Sequence, residues 1–483
     1  MRRLGRSVKN PGAILAAVVG LGVHASGALA QQAAELSEEV LEYVSVRAPS
    51  VALANVQVVD GTGADPVANQ TVLIQNGRIS AIGPAGSVRM PDDTEVLDLS
   101  GHTVIPGLVG MHNHTFYTTY RRDVQLNYSG PRLYLASGVT TIRTTGSFSP
   151  YSEINVKRNI EQGLVPGPRM FITGPYITGQ GSANDMYQVN GPEDARRVVA
   201  YWAEEGATWF KAYTRISREE LAAAIDEAHK RGLKITGHLC SVSFREAVEL
   251  GMDNLEHGFF VNTDWDPEKT VDQCPTGALD RLIDVDLESP EVAATIQAMV
   301  DNNVAMTSTQ AIYELYVPNR PPIEERTLIA LAPESRQEYL EIRERISATG
   351  QGAIAAEIFA KAQAFAYMFA EAGGLLAAGV DPTGIGGALP GYGDQRNFEL
   401  LIESGFTPVE AIEVMTANGA RILGVYEELG SVTEGKIADL VVIDGDPITR
   451  PAEIRNVTIV FKDGVGYDSA RLIESVEGQV GVR

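Results

Sequence analysis

The sequence predicts an α/β protein, a (β/α)8 barrel together with a small β-sandwich domain formed from both termini. Between residues 107 and 425, eight short apolar runs alternate with amphipathic helical stretches, which is the pattern of a parallel barrel. The flanking segments 45–106 and 426–475 show short alternating runs separated by turns. With 483 residues, of which 44% are hydrophobic and 21% charged, the chain can bury a core in one large and one small domain.

The first element along the chain is a predicted signal peptide over residues 1–30. Basic residues between Arg2 and Lys9 precede an apolar run at 13–23, and Ala28-Leu29-Ala30 supplies a small-x-small cleavage site. Because the apolar run is short for a bilayer span, an uncleaved N-terminal anchor is the alternative interpretation. We expect an exported bacterial protein, periplasmic or secreted, in which Cys240 and Cys274 can pair as a disulfide.

The charge balance narrows the range of partners. Lys and Arg number 39 against 62 Asp and Glu, which gives a net charge of -23. A field of that sign repels phosphate backbones and anionic lipid, so we expect no nucleic-acid partner and, after signal cleavage, no membrane partner. A small-molecule or short-peptide substrate is the expected partner, and the sequence leaves open whether the chain forms a homo-oligomer.

Both flanking segments are predicted to be β-structure. In the first, Asn76-Gly77 marks a hairpin turn between alternating apolar runs. In the second, residues 431–446 (SVTEGKIADLVVIDGD) repeat this style. One small domain assembled from the two ends of the chain is the simplest interpretation.

The barrel is predicted from eight apolar runs. They are TVIPGLV, GVTTIRT, PRMFITG, TWFKAY, LKITGHL, DNLEHG, NVAMTST and LLAAGVD. Between the seventh and eighth runs, an insertion of helical pattern covers about 311–372. A lid, an oligomer surface and an extended crossover are its three interpretations.

Four histidines and one aspartate stand at the ends of predicted barrel strands. His112 and His114 follow the first run two residues apart, so both imidazoles can lie on one side of a strand. His238 ends the fifth run, His257 ends the sixth, and Asp381 ends the eighth. Because the C-terminal ends of barrel strands surround one active site, this combination predicts a divalent-metal site.

Lys211 lies inside the fourth apolar run and extends this prediction. A protonated ammonium beside metal ions would be repelled, and it has no lone pair to donate. If burial lowers its pKa, the free amine can take up carbon dioxide and become a carbamate, an anion long enough to bridge two cations. A lysine paired with an acid near the barrel mouth is the alternative.

As a set, these motifs resemble the amidohydrolase superfamily, in its branch with a binuclear metal site and a carbamylated lysine. The resemblance runs from about residue 50 to 475 and includes VIPGLVGMHNH, FKAY, NLEHG and GSVTEGKIADLVVIDGDP. It implies two divalent ions, with zinc as the expected element. The implied ligands are His112, His114 and Asp381 for the first ion, His238 and His257 for the second, and carbamylated Lys211 as the bridge.

Such a site predicts amide hydrolysis by a hydroxide that bridges the two ions. Asp381, next to this nucleophile, would take its proton and deliver the proton to the departing amine. Tyr213, two residues after Lys211, would donate a hydrogen bond to the developing oxyanion, unless it only packs at the strand end.

The resemblance to Xaa-Pro dipeptidases and acyl-amino-acid hydrolases predicts dipeptides or N-acyl amino acids as substrates. Two positions depart from those dipeptidases, because Gln180 stands where they have a histidine and Cys240 where they have a tyrosine. Arg143, Arg215 and Arg396 are expected in loops above the barrel, where a guanidinium would bind a substrate carboxylate and Gln180 would assist.

Two other functions remain open from the sequence. A lactonase or phosphotriesterase would use the same metal site on a different bond. A metal-free pseudoenzyme would serve as a binding module, although the presence of all six ligand residues argues against it.

Overall fold

Eight parallel strands form the centre of the fold, in the order that the apolar runs predict. The computed structural model describes residues 35–182, 186–348 and 352–482, and the predicted signal peptide lies outside the described residues. The strands are Leu108–Asn113, Val139–Thr144, Arg169–Phe171 continued by Thr173–Thr178, Trp209–Ala212, Lys234–Gly237, Asn254–Glu256, Ala305–Ser308 and Leu376–Ala378. Their pairings are parallel throughout, which confirms the α/β class and matches the strand order of a (β/α)8 barrel.

The strands meet at two further points that close the ring. The third strand contributes its first half to one hydrogen-bonded sheet and its second half to another, and a bridge between Ser147 and Pro175 links these sheets. At the opposite edge, the N–H of Asp381 donates to the carbonyl of His112 at 2.8 Å, so the end of the eighth strand meets the first. This approach requires Gly379, because an added Cβ would lie 2.1 Å from the backbone nitrogen of His112.

Helices connect the strands, and their N-termini explain where they start. Ser217, Ser243 and Thr407 each form a capping box with the Glu three residues later, which satisfies free N–H groups of the first turn. The connecting helices are Ser129–Ala136, Pro150–Glu161, Pro192–Glu204, Arg218–Lys230, Phe244–Glu249, Ala278–Arg281, Pro290–Asp301, Tyr392–Glu403, Pro408–Met415 and Ala417–Leu423. Within the described residues, none of the helices has both the length and the apolar composition needed to span a membrane.

Strands from both ends of the chain form a second, mixed sheet. Its nine strands are Val44–Val46, Ser50–Val58, Val67–Gln75, Arg78–Pro84, Glu95–Asp98, His102–Pro106, Leu440–Asp444, Val457–Lys462 and Val465–Asp468. His102–Pro106 pairs with the N-terminal strand Ser50–Val58 on one side and with the C-terminal strand Leu440–Asp444 on the other. Because this strand bridges the two sets, all nine are connected by hydrogen bonds and include strands from both ends of the chain.

The remaining elements are short or belong to the insertion. The insertion consists of four helices between the seventh and eighth barrel strands, Gln310–Glu314, Glu325–Ala330, Pro333–Ala348 and Gly352–Glu371. The other short elements are the strands Phe116–Thr118, Asp123–Gln125 and Tyr187–Gln188 and the helices Glu38–Leu41 and Ser469–Glu474.

Candidate active site

The six predicted metal ligands come together at the C-terminal ends of the barrel strands. The oxygens of Asp381 face two imidazoles, with Oδ2 3.5 Å from His112 Nε2 and Oδ1 3.5 Å from His114 Nε2. Lys211 Nζ lies 3.1 Å from His112 Nε2. The ring centroids of His238 and His257 are 4.4 Å apart, and His257 is 4.6 Å from His112. The sequence predicts that side chains at the strand ends converge on one point, and in the structure these six side chains do so.

Two of these residues have a strained backbone. His257 and Asp381 have φ angles of 64° and 47°, in the left-handed region that non-glycine residues rarely adopt. Each follows the end of a barrel strand, where the turn aims its side chain at the site. Strain of this kind persists only where surrounding contacts impose it, and it concentrates at functional sites.

In three of the histidines, a hydrogen bond at the ring nitrogen Nδ1 orients the imidazole. His112 Nδ1 pairs with Glu256 Oε2 at 2.7 Å, His114 Nδ1 with the carbonyl of Gly146 at 3.1 Å, and His257 Nδ1 with Thr309 Oγ1 at 2.7 Å. A histidine that donates through Nδ1 presents its Nε2 lone pair. Nε2 of His114 and of His257 are buried and have no hydrogen-bond partner among the described residues.

Three of the predicted ligands are spaced for one divalent cation. His112, His257 and Asp381 each offer one ligand atom, and the three atoms lie within 4.8 Å of one another. Imidazole and carboxylate are the ligands that zinc accepts in catalytic sites. The residues present therefore suit the metal site that the sequence predicts.

The electrostatics of the site favour metal binding. Burial lowers the pKa of His112 and His257 well below the usual value and that of His238 to about 3, so these imidazoles are neutral near pH 7. Burial opposes ionisation of Asp381, but contacts with His112 and His114 hold the pKa of this carboxyl below its usual range. The site thus combines neutral imidazoles with one ionised carboxylate.

Burial also changes Lys211, which is 1% exposed. Burial lowers its pKa to about 8, even though the charges of Glu256 and Asp381 act in the opposite direction. A fraction of the molecules therefore carries the free amine near neutral pH. This is the form that the carbamate prediction requires.

A buried carboxylate below the site, Glu256, is a residue that sequence reasoning missed. Besides His112, it accepts hydrogen bonds from Asn254 Nδ2 at 2.9 Å, from Thr236 Oγ1 and from Arg143. The sequence contains a sign of it, because Asn254 and Glu256 alternate within the apolar sixth strand and so share one face. An acid on the inside of a barrel strand needs partners of this kind.

Arg143 does not lie where the sequence predicts. Instead of a loop above the barrel it occupies the second strand, Val139–Thr144, and is fully buried. Its guanidinium pairs with Glu256 and donates to the carbonyl of Met111. Its expected position is therefore wrong, and the buried carboxylate is the physical reason.

The other three predicted substrate-binding residues also lie away from the cavity. Arg215 is exposed, and its carbonyl passes so close to Gly179 that a Cβ there would be 2.0 Å away. Gln180 is exposed and donates to the carbonyl of Val189 at 2.9 Å. Arg396 forms ion pairs with three carboxylates, Glu314, Glu399 and Glu403, at 2.7 to 2.8 Å. None of the three lines the cavity, and the polar heads of Gln180 and Arg396 are held by partners outside it.

A cavity of about 300 Å³ opens beside the predicted ligands. Tyr213 lines it, with its ring 4.6 Å from that of His238. Ile312, Tyr313 and Tyr316 of the insertion line it as well, so the insertion contributes to the site. This position fits the lid interpretation of the insertion, because these residues directly follow the C-terminal end of the seventh strand.

The predicted disulfide is present. Cys240 and Cys274 are bonded, with their Cα atoms 4.9 Å apart and a sequence separation of 34 positions. Cys240 is two residues after His238, and its carbonyl accepts a hydrogen bond from Thr263 at 3.0 Å. The bond therefore ties the loop that carries a predicted ligand to the segment after the sixth strand.

Comparison with known proteins identifies the family. The model of the amidohydrolase family matches residues 103–263 and 338–466, and the chain belongs to this family. A stretch of 72 residues is 40% identical to the N-substituted formamide deformylase of Arthrobacter pascens, but it covers 14% of this chain and only 13% of that protein.

Two solved structures resemble nearly the whole chain. One is a Xaa-Pro dipeptidase with bound methionine in its active site, at 22% identity and a TM-score of 0.65, covering 87% of this chain and 100% of that chain. The other is a provisionally assigned prolidase from Bifidobacterium longum, at 25% identity and a TM-score of 0.63, covering 88% of this chain and 98% of that chain.

Proposed function

We propose that the chain is a metal-dependent hydrolase of amide bonds in small molecules or short peptides. One observation carries the proposal, namely the convergence of four imidazoles, an ionised carboxylate and an amine of lowered pKa on one buried point. The unpartnered Nε2 atoms of His114 and His257 lie there, beside a cavity large enough for a small ligand.

The proposed ligands follow the sequence prediction. They are His112, His114 and Asp381 for a first divalent ion, His238 and His257 for a second, and carbamylated Lys211 as the bridge. Zinc is the expected element. When bound, such ions supply an activated water and polarise the carbonyl of a substrate.

Two residues of the chain are proposed to transfer the proton and to stabilise the developing oxyanion. Water adds across the C–N bond, so the carbonyl carbon gains an oxygen and the amine nitrogen gains a proton. Asp381 is the proposed carrier of that proton, from the attacking water to the departing nitrogen. Tyr213, at the cavity wall, is proposed to donate a hydrogen bond to the carbonyl oxygen as its negative charge develops.

Relatives and the disulfide support the remaining parts of the proposal. The deformylase and the prolidase described above are named for hydrolysis of C–N bonds. Dipeptides and N-acyl amino acids stay within the substrate range to be tested.

The disulfide favours export, since such bonds persist in oxidising compartments. N-terminal sequencing of the protein from a bacterial periplasm or medium should then begin at Gln31. Association into a homo-oligomer stays a prediction from the sequence.

Metal analysis combined with kinetics tests the function. We expect close to two divalent ions per chain, loss of amide hydrolysis after chelation, and recovery with zinc. His114→Ala should reduce the metal content, whereas the control His229→Ala should not, because His229 lies outside the site and pairs with Asp253 at 3.0 Å. Amide hydrolysis that persists without metal, or turnover of lactones and phosphotriesters alone, would contradict the proposal.

A further inference from the structure

The cavity beside the predicted metal site has aromatic walls on two sides. On the barrel side, the rings of Phe116, Phe148, Tyr176 and Tyr213 follow one another at centroid distances of 4.7, 5.1 and 5.2 Å. On the insertion side, Tyr313 and Tyr316 line the same cavity. A ligand in this space therefore meets aromatic rings from both the barrel and the insertion.

The insertion-side rings are positioned by their neighbours. Tyr313 stacks on Phe260 with centroids 3.6 Å apart and an interplanar angle of 4°, and its ring lies 5.6 Å from that of His257. Tyr316 remains 42% exposed although it lines the cavity. Gly384 packs close to it, since an added Cβ would lie 2.9 Å from the Tyr316 hydroxyl. Stacking therefore fixes Tyr313, and Tyr316 lies beside it at the open edge of the cavity.

The charges of the lining belong to the predicted metal site. Among the described residues that line the cavity, Lys211 and Asp381 carry charge, and the remainder beyond the histidines are uncharged and mostly aromatic or hydroxyl-bearing. A buried substrate carboxylate needs a charged hydrogen-bond partner. Arg143 and Arg396 are engaged by carboxylates elsewhere, whereas an uncharged ring gains favourable contacts from aromatic walls.

We propose that the site takes uncharged aromatic amides, whose ring lies against the walls that contain Phe148 and Tyr316. This inference rests on the proposed function, because it assumes that an amide bond is cleaved. It replaces the carboxylate-bearing substrate that the sequence predicts with a neutral one. The products are a carboxylic acid and an amine, formed by addition of one water.

Matched amides separate the effect of the ring from the effect of charge. N-methyl-2-phenylacetamide and N-methyl-2-cyclohexylacetamide differ only in aromaticity, and the CH2 group keeps the reactivity of their carbonyls similar. N-benzylacetamide and N-(cyclohexylmethyl)acetamide test the amine side in the same way. N-(phenylacetyl)glycine and its glycinamide differ in one charge. For the zinc-loaded protein we expect kcat/KM to be about 10-fold higher for the aromatic amide than for its cyclohexyl analogue in at least one of these two pairs. We also expect kcat/KM to be higher for the neutral glycinamide than for the free acid.

Substitutions at the cavity wall test which rings cause the preference for aromatic amides. Tyr316→Leu and Phe148→Leu should each reduce the aromatic preference several-fold, mainly through a higher KM. Tyr201→Leu is the control, because Tyr201 is 48% exposed on the helix Pro192–Glu204 and does not line the cavity. Calorimetric titration of chelator-treated protein with N-benzylacetamide and its cyclohexyl analogue provides a binding readout that needs no catalysis.

The outcomes distinguish the two proposals. Equal rates on aromatic and cyclohexyl amides, or faster cleavage of the free acid, would overturn this inference while amide hydrolysis stands. Cleavage of none of these amides, with aromatic binding preserved in the titration, would instead overturn amide hydrolysis and support the aromatic site.

Discussion

Glu256 connects the barrel interior to the predicted metal site. Its Oε2 holds His112 at Nδ1, while its Oε1 receives Arg143, so one carboxylate joins a predicted ligand to a fully buried cation. A carboxylate that accepts from a ligating histidine fixes the orientation of the ring and raises its basicity. Glu256 is therefore a positioning residue for the site.

Replacing this carboxylate should weaken metal binding. We expect Glu256→Gln to reduce zinc affinity about 10- to 100-fold, because His112 loses its ionised partner. It should also lower the free energy of unfolding by about 3–5 kcal/mol, because Arg143 stays buried without a counter-charge. Competition titration with a chromophoric chelator measures the first effect and denaturant unfolding of the metal-free protein the second.

Asp439→Asn is the matched control for this variant. Asp439 is 4% exposed and forms an ion pair with Arg169 at 2.6 Å, away from the predicted ligands. It should lower stability but leave zinc affinity unchanged. Equal losses of affinity in both variants would show that Glu256 acts only through folding.

Lys211 gives the site a predicted pH dependence. With a pKa of about 8 in the metal-free protein, the free amine falls roughly tenfold for each pH unit below that value. Loading of the chelator-treated protein with zinc and bicarbonate should therefore accelerate from pH 6 to 8 and level off above. Lys211→Ala should abolish this rise and the activity, and a short-chain carboxylate should partly restore activity. A loading rate that is flat over this range would contradict the carbamate.

The six predicted ligands could be located from the sequence because barrel geometry brings strand ends together. A histidine such as His238 needs only its place at the end of an apolar run to be assigned. Glu256 and Arg143 could not be paired in this way, since 113 residues separate them and no local pattern records the contact. The predicted run GVTTIRT already contains Arg143, so its place in the strand could be read from the sequence, whereas the carboxylate that allows its guanidinium to be buried could not.

At the scale of elements, the disulfide between Cys240 and Cys274 should stabilise the loop beside His238. By loop closure, a bond across 34 residues contributes about 3–4 kcal/mol to stability. Changing both cysteines to serine should lower the unfolding free energy by about that amount and leave zinc stoichiometry near two. Thiol titration of the denatured, unreduced wild type should find no reactive thiol. Two reactive thiols there would rule out the bond.

The insertion shows which features of a helical segment the sequence predicts and which it does not. Its helices could be predicted from their composition, but their location could not, because it depends on contacts distant in sequence. One of these joins the end of the helix Glu325–Ala330 to the C-terminus, where Ala332 N–H donates to the carbonyl of Val480 at 2.9 Å. Such a contact leaves no periodic pattern.

At the scale of the whole molecule, the boundary between the two sheets lies inside one apolar run. The run TVIPGLV predicts a single strand, but His102–Pro106 joins the mixed sheet and Leu108–Asn113 the barrel. Gly107 marks the break, since an added Cβ there would clash with Thr140 at 2.1 Å. The predicted boundary between 106 and 107 falls at this glycine, although hydrophobicity alone does not separate the two strands, because both are buried.

The backbone contact between Asp381 and His112 constrains the order in which the predicted metal site can assemble. These two residues belong to opposite ends of the barrel sequence, yet they face each other across the seam at Gly379. A growing chain that has released only its first seven strands lacks half of this ligand pair. We therefore expect a metal ion at this pair to bind only after the eighth strand has reached the first, because neither residue alone completes the predicted pair of ligands.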